Sequence, residues 1–260
     1  MKKLIAMEPV GTIIIVHGAF EHSGRYDQLA KQFQADGFHV IYGDLPGQGS
    51  FKGRKGHIKS FDDYIQTIKA WLFDAEENLP LFLLGHSMGG TAVIRAMEEL
   101  KPSVSGVILS SPAAGLLSKA SRPMEALSYV LNYLCPSLRV QRKLKPETVT
   151  TSPELIEEYK VDPLLIDRVS IRWYREFRKA IKQAFLYIDQ FPDVPLLVMQ
   201  AGEDLIVDRY KTLEWFHKVE SKEKTYKEWL HFYHEIFNEP KRDEVYHYTL
   251  NFMQQLISKD

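Results

Sequence analysis

The sequence predicts an α/β fold: a mostly parallel sheet of about six strands flanked by helices, interrupted once by a helical insertion. Three observations predict it. Short apolar, β-branched runs alternate with stretches of helical spacing over residues 12–112, a rhythm that builds parallel sheets covered on both faces. That rhythm stops at about residue 113, gives way to helix-like sequence, and resumes near residue 195. A chain of 260 residues, 45% hydrophobic, is long enough for one such domain with a full core. The expected organisation is a core of residues 1–112 and 191–260, with residues 113–190 inserted as a helical segment.

Residues 12–16 are a β-branched run ending in His17-Gly18, as in a buried strand. Residues 23–36 place Tyr26, Leu29, Ala30 and Phe33 at helical spacing, with Ser23 as the N-cap and Gly37 as the stop. Residues 38–42 form the second strand. Residues 62–79 form a helix with Ile65, Ile68, Leu72 and Ala75 on one face. A third strand over 81–84 leads to a helix over 88–100, and a fourth strand covers 104–109. Residues 113–190 carry 13 Lys/Arg against nine Asp/Glu and show no convincing strand. Strands at 195–201 and 225–230, each followed by a helix (209–219 and 239–257), complete the core.

The chemistry centres on Gly85-His86-Ser87-Met88-Gly89, set between the third strand and its helix. G-x-S-x-G in that context is a nucleophile elbow. Its glycines remove the Cβ atoms a tight turn cannot accommodate, and the helix N-terminus favours developing negative charge. A serine hydroxyl needs a base, and the base needs a carboxylate to fix its tautomer. Both are expected after later strands, because functional groups gather at strand carboxyl ends in open parallel sheets. Glu203, Asp204 and Asp208 follow the strand at 195–201, and His231 and His234 follow the strand at 225–230. Serine, acid, histidine is the chain order of α/β-hydrolases. Asp204, in the loop interior, is the preferred acid, since an N-cap role accounts for Asp208. His234, before a helix-like start, is preferred over His231. The turn His17-Gly18-Ala19-Phe20 can supply a second oxyanion donor beside the Met88 N–H: Ala19 is preferred and Phe20 is the alternative. His17 is expected to shape that turn, and His86 to pack into the fold.

Other signals have simpler readings. Residues 47–53 are glycine-rich, but their spacing is wrong for a dinucleotide fingerprint, and there is no P-loop. No cofactor or metal site is expected. Cys135, the single cysteine, excludes an internal disulfide, points to the cytoplasm, and is expected to be buried as a small apolar side chain. The net charge of −1 gives no case for nucleic acid. The apolar stretch after Lys2-Lys3 is too short for a signal peptide, and none is long enough for a transmembrane helix. The basic run Arg142-Lys143-Leu144-Lys145 is expected to be a solvated face, with contact to anionic headgroups as the alternative.

Several blocks together resemble the monoacylglycerol lipase and lysophospholipase-like family of α/β-hydrolases, closest to its bacillar phospholipases. They are His17 to Tyr26, which is similar to H-G-x-G-E-H-S-x-R-Y; Gly43 to Ser50, similar to D-x-x-G-H-G-x-S; the elbow with Gly90; Ala201 to Asp204; and Tyr233 to Glu239. Asp162-Pro163-Leu164 and Val169 to Trp173 resemble a motif in that family's cap. The resemblance spans nearly the whole chain. It implies a Ser87, Asp204, His234 triad, oxyanion donors at Ala19 and Met88, a cap at 113–190 over an acyl pocket, and hydrolysis of single-chain lipid esters. Short-chain carboxylester, thioester and peptide hydrolysis are alternatives on the same machinery, and a non-catalytic binding scaffold is a third. Two positions depart from the pattern: Phe20 stands for the second glycine of H-G-x-G, and Gln48 for the histidine of G-H-G.

Overall fold

A computed structural model describes residues 1–118, 120–141 and 144–258. In chain order the elements are β1 (Lys2–Leu4), β2 (Gly11–Val16), α1 (Asp27–Ala35), β3 (Phe38–Tyr42), α2 (Asp62–Phe73), β4 (Leu81–His86), α3 (Met88–Leu100) and β5 (Gly106–Ser110). Then follow α4 (Arg122–Leu134), β6 (Arg139–Gln141), α5 (Pro153–Val161), β7 (Arg168–Ser170) and α6 (Ile171–Leu186). The chain closes with β8 (Leu196–Ala201), α7 (Arg209–Lys218), β9 (Lys224–Trp229) and α8 (Arg242–Ile257).

Seven strands form the main sheet in the order β1-β3-β2-β4-β5-β8-β9. The six expected strands are parallel, and β1 adds an antiparallel edge against β3. Side chains alternate across the sheet with period two. Ile13 and Ile15 of β2 pack with Leu29 and Phe33 of α1 and Met253 of α8, whereas Ile14 and Val16 pack with Ile68 of α2 and Val93 of α3. Both faces of the sheet are therefore dry, which is why its central strands read as continuous apolar runs. β2 lies between β3 and β4, so the winding direction reverses there. The crevice beyond the strand carboxyl ends at such a reversal is where open α/β sheets place their sites.

Some expected bounds shift, each for a local reason. The helix expected over 23–36 splits into a single 3-10 turn at Ser23–Tyr26 and α1. Ser23 is not the cap: its N–H donates to Asp44 Oδ1 at 2.8 Å, and the Gly24 N–H donates to His22 Nδ1 at 3.1 Å. The helix expected to reach 79 ends at Phe73, ahead of a stretch closed by Pro80, which disfavours helix at the residue before it. The final helix starts at Arg242 rather than 239, since Glu239 precedes Pro240 and is extended.

Between β5 and β8 the chain is mostly helical, as expected, but it also holds a ribbon of β6 against β7, paired through Val140 and Val169. Strands of three residues show too little alternation to be seen in sequence. Helix α6 buries Trp173, Phe177, Ala180 and Ala184, spaced at three and four residues, and packs on α3. Helix α4 packs on α6 and has Ser128 as its only buried residue. Cys135 ends that helix and is exposed, which corrects the buried reading. Among the described residues no helix is long and apolar enough to cross a membrane.

Candidate active site

The turn after β4 holds Ser87 in a left-handed backbone conformation, φ 53° and ψ −118°, immediately before the first helical residue of α3. The turn is too tight for side chains at its glycines. A Cβ on Gly85 would lie 2.6 Å from the Gly89 carbonyl oxygen, and one on Gly89 would lie 2.2 Å from the Val16 oxygen. Ser87 is buried, and its hydroxyl donates to His234 Nε2 at 2.8 Å. His234 Nδ1–H donates to Asp204 Oδ2 at 2.8 Å. The carboxylate also accepts from the N–H groups of Ile206 (2.9 Å) and Val207 (2.8 Å) and from Gln200 Nε2 (2.9 Å). Three residues distant in sequence thus form one hydrogen-bonded line at the carboxyl ends of β4, β8 and β9.

Electrostatics follow from burial and pairing. Burial alone would raise the Asp204 pKa, but the His234 charge and the hydrogen bonds outweigh it and hold the carboxyl below its ordinary value. Burial would lower the His234 pKa, but Asp204 prevails and raises it above 6.5. His86 packs its ring on His234 with centroids 4.8 Å apart, and its Nδ1 lies 3.1 Å from the Ser110 carbonyl oxygen. Burial, then the neighbouring His234, pushes His86 down to about 3, so it stays neutral. It is packed into the fold, as expected.

The rejected candidates have their own partners. His231 is exposed and pairs at 3.1 Å with Glu203 at the surface. Asp208 caps α7, accepting from the Tyr210 and Lys211 N–H groups. Of the turn after β2, His17 shapes it by accepting the Leu45 N–H on Nε2 at 2.9 Å. The Phe20 N–H donates to Gln48 Oε1 at 3.0 Å, which removes it as a free donor. The Phe20 carbonyl accepts the Ile166 N–H from the inserted segment at 3.1 Å. Ala19 lines the site cavity. Met88 opens α3, and a first-turn N–H has no acceptor within its helix.

Sequence reasoning missed the supports of this turn. Glu21 accepts from the Gly18 N–H and, at 2.8 Å, from the Tyr26 hydroxyl. Arg25 bridges Glu21 to Glu235, the neighbour of His234. Burial and the Glu235 charge raise the Glu21 pKa, whereas at Glu235 the Arg25 charge overrides burial and lowers it. Glu21 and Arg25 are four residues apart, the spacing of a facing pair on a helix, but Glu21 precedes the helical turn at Ser23–Tyr26, which weakens that signal. Above Ser87 lies a cavity of about 530 Å³, walled by Phe20, Trp173, Phe177, Val149, Leu116 and Ile206. A hydroxyl polarised by an imidazole, beneath an apolar cavity of that size, can attack the carbonyl of an apolar acyl compound.

Known proteins are similar to this chain throughout. The family profile described as Serine aminopeptidase, S33 matches residues 7–241. Phospholipase YtpA of Bacillus subtilis (strain 168) is 44% identical over 254 residues, covering 97% of this chain and 98% of that protein. A monoacylglycerol lipase of Mycolicibacterium smegmatis is 28% identical, over 92% of this chain and 86% of that one. The crystal structure of Paleococcus ferrophilus monoacylglycerol lipase superposes with a TM-score of 0.88 at 30% identity, covering 100% of this chain and 99% of the other. The resemblance to monoacylglycerol lipases and bacillar phospholipases, and the α/β-hydrolase fold, are borne out.

Proposed function

We propose, for a chain that belongs to the serine aminopeptidase family and is a serine ester hydrolase of the lipase kind, that it cleaves single-chain lipid esters, monoacylglycerols or lysophospholipids, through Ser87, His234 and Asp204. The observation that carries this reading is the hydrogen-bonded line of those three residues under an apolar cavity. His234 takes the Ser87 proton as the hydroxyl oxygen attacks the ester carbonyl. Asp204 holds the imidazolium. The Ala19 and Met88 N–H groups receive the oxyanion, a contribution worth about 10²–10³ in rate per donor. The alcohol leaves with a proton from His234, and water then hydrolyses the acyl-enzyme by the same steps.

Residues 113–190 are proposed as a cap: they supply Trp173, Phe177 and Val149 to the cavity wall, while the core supplies Ser87 and Phe20. The apolar wall favours acyl chains over peptides. An aminopeptidase would need a free carboxylate for the substrate amino group, yet Glu21 and Glu235, which reach the cavity, are already engaged by Gly18, Tyr26, Arg25 and Asn238. The single cysteine supports a cytoplasmic placement; a periplasmic or secreted fraction holding the activity would refute it. Transient contact with a membrane surface through the cap completes the proposal. Arg142 and Lys143 of the basic run lie outside the described residues, and the support comes instead from α4, whose Leu127, Tyr133 and Leu134 face solvent.

Ser87→Ala is expected to abolish turnover of monoacylglycerols and lysophospholipids and to abolish labelling by a fluorophosphonate probe. Full activity in that variant, or a wild-type preference for acetyl and butyryl esters over long-chain ones, would overturn the reading.

A further inference from the structure

Phe20 and Gln48, the two departures from the pattern that the chain resembles, touch each other. The Phe20 N–H donates to Gln48 Oε1 at 3.0 Å, and Gln48 Nε2 donates to the Tyr64 hydroxyl oxygen at 3.4 Å. Trp173 Nε1–H donates to the same oxygen at 2.8 Å. The Trp173 ring then closes the circuit against the Phe20 ring, with centroids 5.4 Å apart and planes inclined at 56°. The four residues come from four parts of the chain, and all are buried. Phe20 has φ 68°, a region that bulky side chains avoid. Such a conformation persists only where its surroundings over-determine it, and the circuit does so from the backbone side and the ring side at once.

The position of that ring matters for chemistry. Phe20 directly follows Ala19, so their Cα atoms are about 3.8 Å apart. A donor at Ala19 faces the reacting carbonyl, and the next side chain along therefore stands near the carbonyl end of the acyl group rather than near its tip. The ring also shares the cavity wall with Trp173 and Phe177, whose rings lie 5.3 Å apart. We propose that Phe20 is a specificity-determining residue that excludes acyl groups branched next to the carbonyl, and that Gln48 is the positioning residue that holds it in place. This rests on the ester-hydrolase reading above. A straight chain passes the ring edge, whereas a substituent on the α-carbon meets it.

The test compares kcat/KM for 4-nitrophenyl decanoate and 4-nitrophenyl 2-methyldecanoate, with fluorophosphonate labelling of Ser87 as a control on each variant. Phe20→Ala is expected to raise the branched-to-straight ratio about tenfold or more. Phe20→Gly, which relieves the positive φ, is expected to do the same. Gln48→Leu is expected to raise the ratio less and to lower kcat, and Gln48→Glu, which keeps an acceptor for the Phe20 N–H, to restore the wild-type ratio. An unchanged ratio in labelled Phe20 variants overturns the assignment of Phe20. An unchanged ratio in labelled Gln48→Leu overturns that of Gln48. Absence of labelling in the wild-type protein would count against the ester-hydrolase reading instead.

Discussion

His234 is pulled in two directions, and the balance fixes when the site can work. Burial favours the neutral ring, but Asp204 stabilises the imidazolium more, so the pKa lies above 6.5. The proposed base must be neutral to accept the Ser87 proton. Activity is therefore expected to be lost as the pH falls through that raised pKa, with an acid limb in kcat/KM centred above about 6.5. Asp204→Asn removes the charge, so the limb should move to lower pH while kcat falls by about 10⁴. A pH–rate profile of both proteins checks it, and an unmoved limb would separate Asp204 from His234. At this scale the sequence was informative where motif and chain order agreed: Ser87, Asp204 and His234 meet, and Asp208 turns out to cap a helix. It was silent on Glu21, Arg25 and Gln200, because a buried polar side chain gains its meaning from a partner that only the fold brings near.

The strand–turn–helix of β4 and α3 leaves no room for side chains at its glycines. Gly89 faces the end of β2, and an added methyl group would meet the carbonyl oxygens of both Val16 and His17, at 2.2 and 2.4 Å. Backbone of a central strand cannot yield as a side chain tip can. Gly89→Ala is expected to cost roughly 2–3 kcal/mol by overpacking, and so to lower Tm by about 5–10 °C. Thermal unfolding followed by circular dichroism checks this, and a change below 2 °C would contradict the packing. Elements with a periodic apolar face, such as α2 with Ile65 and Ile68, were legible. The ribbon of β6 and β7 was not, since its pairing is a tertiary event between short segments with no pattern of their own. Cys135 was misjudged for a related reason: its residue type suggests burial, and only the fold leaves it and most of the apolar side chains of α4 exposed.

At the scale of the molecule, that exposure is the feature to test. The exposed apolar side chains of α4 belong to the same inserted segment that supplies Trp173 and Phe177 to the cavity wall. Burying one such side chain is worth about 1.5–3 kcal/mol. Leu127→Asp and Tyr133→Asp should each weaken sedimentation with phosphatidylglycerol vesicles at least tenfold and leave hydrolysis of a dissolved ester intact. Vesicle binding unaffected by both would remove the cap from the proposed contact.

The turn bearing Ala19 and Phe20 is tethered on both sides: its N–H to Gln48 of the core, its carbonyl to the Ile166 N–H of the inserted segment. It therefore ties the inserted segment to the core one residue away from the proposed oxyanion donor. The consequence is a division of labour within a single loop: its backbone fixes where the proposed donor points, and its side chain, Phe20, fixes the shape of the cavity wall.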